Sequence, residues 1–123
     1  MSTEDNLQDI QAEIDKLIAT PRTNEDLLIS LGEVDGALFA SPTDKAKRGL
    51  RFLRNALERV QDKMCSNEFV RANGQDASMQ RKALGIAAIL DFVGTKGAAT
   101  ASVLIVQIGL EKVCAGTWEQ HVK

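Results

Sequence analysis

The chain has little of what reactive protein sites are usually built from. Among its 123 residues there is no tyrosine, one tryptophan, one histidine, two cysteines and two prolines, and aromatic side chains make up only 4%. The single histidine, His121, lies near the end of the chain, where a general base is hard to hold within reach of a substrate. Cys65 and Cys114 have neither CxxC nor Cys/His spacing, so a zinc framework is not supported. No GxSxG, HExxH or GxGxxG motif occurs. Gly94-Thr95-Lys96-Gly97 lacks the preceding glycine of a phosphate-binding loop and reads as a tight polar connection. Asp9 and Glu13 share a helical face, but no other segment offers the converging oxygens that a hard cation needs. The expectation is a non-enzymatic protein without metal or cofactor.

Long apolar runs are also missing. The stretches Leu84 to Val93 and Ala98 to Leu110 fall short of the roughly 20 residues of a membrane span. They contain Asp91 and Gln107, with Lys96 between them, so no membrane association is expected. A formal net charge of -2 excludes a strongly basic nucleic-acid protein on totals alone. Met1 is followed by the acidic Ser2-Thr3-Glu4-Asp5 rather than by a basic and then an apolar stretch, which predicts a cytoplasmic protein with both thiols reduced.

What the chain has instead is one apolar spacing, alternately three and four residues, repeated throughout. It runs through Leu7, Ile10, Ile14 and Leu17, then Leu27, Leu31, Val34 and Leu38, then Leu50, Leu53, Leu57, Val60 and Met64. It resumes at Met79, Ala83, Ile86, Leu90 and Val93, and again at Ala99, Val103, Val106, Leu110 and Val113. Such positions gather on one stripe of an α-helix and cannot gather on one face of a strand. The pattern predicts a single all-α domain over 1–123, an up-and-down bundle of about five helices over 3–19, 24–40, 43–65, 77–93 and 98–114.

Punctuation supports these divisions. Ser2 or Thr3 is placed to cap the first helix, and Pro21 ends it. Thr23 or Asn24 is placed to cap the second, and Ser41-Pro42-Thr43 separates it from the third. Gly32 and Gly36 imply either close packing or a bend in the second helix. Asn73-Gly74 reads as the end of a short fragment over 67–72, Asp76 as a cap for the fourth helix, and Gly116 as the close of the fifth. The β-branched run Val103 to Val106 is helical by context, because no second strand is apparent to pair with it. Being apolar on every side, it should be surrounded by the other helices or by a second copy of the chain. A homodimer through helices four and five is therefore expected. With helices one, three and five running in the same direction, Cys65 and Cys114 should share one end of the bundle, near Trp118, without necessarily approaching bonding distance.

Two surfaces are candidates for function. Phe52 projects away from the apolar stripe of its helix and Phe39 follows Leu38 at an edge, which together point to a protein partner. Lys47, Arg48, Arg51 and Arg54 cluster opposite Leu50, Leu53 and Leu57 and form a face suited to phosphates. That face has no aromatic of its own for stacking bases, and residues 1–40 are acidic enough to neutralise it. The leading reading is a protein-protein interaction module such as an inhibitor or immunity-type protein, a secretion chaperone or an assembly subunit. A small nucleic-acid-binding subunit is the alternative.

Overall fold

A computed structural model describes residues 3–66 and 78–121. It is all-helical among these residues. The elements are α1 (Thr3–Ala19), α2 (Asn24–Val34), α3 (Pro42–Met64), α4 (Met79–Ile89), α5 (Thr95–Ile108) and the short α6 (Leu110–Cys114). Two 3-10 turns, Asp91–Val93 and Trp118–His121, complete the set. The expected fragment over 67–72, its Asn73-Gly74 end and the cap at Asp76 lie outside the described residues. So do the side chains of Ser2, Thr3 and His121.

The first boundaries follow the sequence signals. α1 stops two residues before Pro21 and buries Ile10 and Ile14. A capping box starts α2, with the Thr23 hydroxyl accepting from the Asp26 amide at 3.1 Å and the Asp26 carboxylate accepting from the Thr23 amide at 3.4 Å. Ser41 caps α3 in the same sense, and Pro42 occupies its first turn, where a missing N–H costs nothing. Ser78 caps α4.

Three expected boundaries need correction. α2 ends at Val34 rather than Ala40, although its apolar spacing continues through Leu38. Gly36 takes φ +98, its amide donates to Glu33 and the Ala37 amide donates back to Gly32. This double bond pattern closes a helix once a glycine can adopt left-handed angles. The fourth helix is α-helical only to Ile89, after which Asp91–Val93 tightens into a 3-10 turn. The fifth is not one helix over 98–114. It begins at Thr95, so Thr95 to Gly97 form its first turn rather than a connection, and it breaks at Gly109, where φ 109 and ψ 125 leave helical space. That break re-aims α6.

α2 and α3 form an antiparallel hairpin in which the backbones nearly touch. A Cβ added at Gly32 would overlap the Lys45 carbonyl, and one added at Gly49 would overlap the Leu28 carbonyl. Gly32 thus serves close packing, whereas Gly36 ends the helix. α5 lies at the centre, against α1, α2 and α4. Every residue from Gly97 to Ile105 is buried, and the Ser102 hydroxyl is satisfied by the Ala99 carbonyl at 2.8 Å. Full burial of side chains such as Leu104 and Ile105 contributes about 1.5 to 3 kcal/mol each. The helices of a single chain supply this cover, so burying α5 requires no second copy. The small residues Ala101 and Ser102 lie fully buried inside this packing.

Cys65 and Cys114 do share an end, and closer than expected. Their Cα atoms are 5.6 Å apart and they form a disulfide, which replaces the expectation of reduced thiols. Cys65 is the C-terminal cap of α3, and the turn at Gly109 carries α6 across to meet it. Trp118 packs into the core beyond α6.

Candidate functional site

Acids from elsewhere in the chain occupy part of the basic face of α3. Arg48 donates to Asp35 at 2.9 Å, at the C-cap of α2. Lys45 reaches Glu33 on α2 at 3.4 Å. Arg54 donates to Glu119 at 2.6 Å, and this hydrogen bond, with the negative charge behind it, raises the guanidinium pKa above its ordinary value. Of the four residues expected to follow phosphates, Lys47 and Arg51 remain without an ion pair among the described residues; Arg48 and Arg54 do not.

The two expected aromatics have different surroundings. Phe52 is half-buried against the core, its ring lying over Gly97 at the start of α5. Phe39 is fully exposed, at 101% of its reference area, in the turn between α2 and α3. Leu38 beside it is 59% exposed. The turn is nevertheless anchored at its beginning by the glycine closure of α2 and by the Arg48–Asp35 pair, and at its end by the Ser41 cap.

A third aromatic lies beside Phe52. Phe92, on the 3-10 turn after α4, is 43% exposed, and the Arg59 guanidinium stacks 4.6 Å from its ring centre. Phe52, Phe92, Arg51, Arg59, Asn55 and Asp35 line a depression of about 190 Å³ between α3 and that turn. Arg51, Asn55 and Arg59 recur every four residues along α3 and form one wall. The aromatic that the basic face of α3 lacks is thus supplied from another element. Its sequence signal is slight: one phenylalanine just before Gly94, on a segment whose apolar spacing reads as core. No family model, curated protein or solved structure matches the chain. Among the described residues no helix is long and apolar enough to cross a membrane.

Proposed function

We infer that the chain is a non-enzymatic protein-binding module that presents Phe39 and the Phe92/Arg59 depression to a partner. The observation that carries this reading is Phe39 itself. A large aromatic side chain held in solvent on an anchored turn loses little further order on docking and brings a large apolar area to the contact. Arginines beside aromatic rings are the residue types that dominate binding energy in protein interfaces. The Asp35 and Glu119 pairings weaken the nucleic-acid alternative, because they use two of its four cations within the chain.

A photo-crosslinking amino acid at position 39, compared in the source cell with one at exposed Gln80, tests the reading. A discrete adduct formed from position 39, absent from position 80 and lost when Phe92→Asp is added, is the expected result. Identical products from both positions overturn it. The disulfide pulls against a cytoplasmic placement, since cytosolic thiols are kept reduced. Alkylation of the native protein with and without prior reduction tests the disulfide.

A further inference from the structure

A second depression, of about 360 Å³, lies where α1, α2 and the first turns of α5 converge. This volume falls in the range of small-ligand pockets. Its charges are unevenly satisfied. Glu13 and Glu33 line it, but each has a cation of its own, Lys16 at 3.6 Å and Lys45 at 3.4 Å. Arg22 and Lys96 also line it, and neither has an ion-pair partner among the described residues. The balance left over is positive, and Lys96 stands in the first turn of α5, where the helix dipole adds to it.

The remaining lining divides by chemistry. Leu17, Val34 and Leu38 give an apolar side, with Val34 and Leu38 left 38% and 59% exposed. Thr100 lies on the wall from α5, is only 5% exposed, and makes no side-chain hydrogen bond among the described residues. Among the described residues no buried side-chain polar atom lacks a partner, so the Thr100 oxygen opens onto the cleft, where a bound group can reach it. The two neighbouring carboxylates work against a polyanion or a bare phosphate, so one negative charge on an apolar body fits the lining best.

We propose that this cleft binds a small amphipathic carboxylate. Arg22 and Lys96 take its headgroup, the Thr100 hydroxyl donates to it, and Leu17, Val34 and Leu38 cover a short alkyl tail. The residues come from α1, the α1–α2 link, α2, the turn after it and α5, so the site exists only in the folded chain.

Octanoate is a suitable probe, followed by calorimetry and by NMR of the Leu17, Val34 and Leu38 methyl groups, with inorganic phosphate and octyltrimethylammonium as comparisons. Saturable octanoate binding with a Kd of about 1 mM or tighter is expected. It should weaken about 10-fold or more in Arg22→Gln/Lys96→Gln and by a smaller factor in Thr100→Val. Both cations are exposed, so the double variant keeps its fold, which circular dichroism checks. Absence of saturation, equal binding of the quaternary ammonium, phosphate binding as tight as octanoate, or unchanged affinity in the folded double variant would each overturn the proposal.

Discussion

The two halves of α3 are held in different ways. The first half is held by chain immediately before it: Lys45 pairs with Glu33, Arg48 with Asp35, and Gly49 lies under the Leu28 carbonyl. The second half is held by chain far ahead of it, Arg54 by Glu119, Arg59 by Phe92 and Cys65 by Cys114. Contacts of short sequence separation close small loops and form early, whereas distant ones must wait for the intervening chain to be placed. One continuous helix is therefore half of a local hairpin and half of a long-range junction.

Removing the covalent tie should separate the halves most clearly. Cys65→Ser opens a crosslink spanning 49 residues, and by chain entropy it should lower unfolding free energy by about 4 kcal/mol in urea titrations. Amide exchange should quicken first in α6 and around Trp118 and leave Leu28 to Gly49 the better protected. Equal quickening in both regions would abolish the distinction. In the first half the corresponding change is Gly49→Ala, whose methyl meets backbone rather than a side chain able to move. A loss of about 3 kcal/mol is expected, at the upper end of ordinary overpacking. A neutral outcome would mean that the hairpin has room to separate.

Gly109→Ala comes next. Its backbone angles belong to a region that alanine rarely enters, so a cost of about 1 to 3 kcal/mol is expected. The Cys65–Cys114 bond should also re-form more slowly after reduction, as timed by thiol labelling. The smallest effect should come from Arg48→Gln, which removes an exposed pair worth less than about 1 kcal/mol. A larger loss would show that the hairpin depends on its charges and not on its glycine contact.

How far the fold could be read from the residues follows the same division between local and distant. Helical periodicity is local, and it located α1, the start of α2, the whole of α3 and the buried character of α5. It failed at Val34, where the apolar spacing runs on through Leu38 while the backbone turns at Gly36. It failed again at Gly109, because nothing in a run such as Val103-Leu104-Ile105-Val106 announces a break in the backbone after it. The disulfide was legible only as two cysteines at one end, since a separation along the chain says nothing of distance until α6 has a direction. The candidate surface divides likewise. Phe39 and the basic face of α3 show in the sequence, but the acids that occupy Arg48 and Arg54 and the ring that Arg59 covers come from other elements.

The Cys65–Cys114 bond also changes what a cut in the polypeptide means. The chain is a closed circuit with two tails, one carrying α1, α2 and the whole of α3 and the other carrying Trp118. A protease that hydrolyses one peptide bond anywhere in the circuit produces a nicked protein and not two separate ones. Such a product migrates as a single species until a reductant is added, and only then does the cut become a loss.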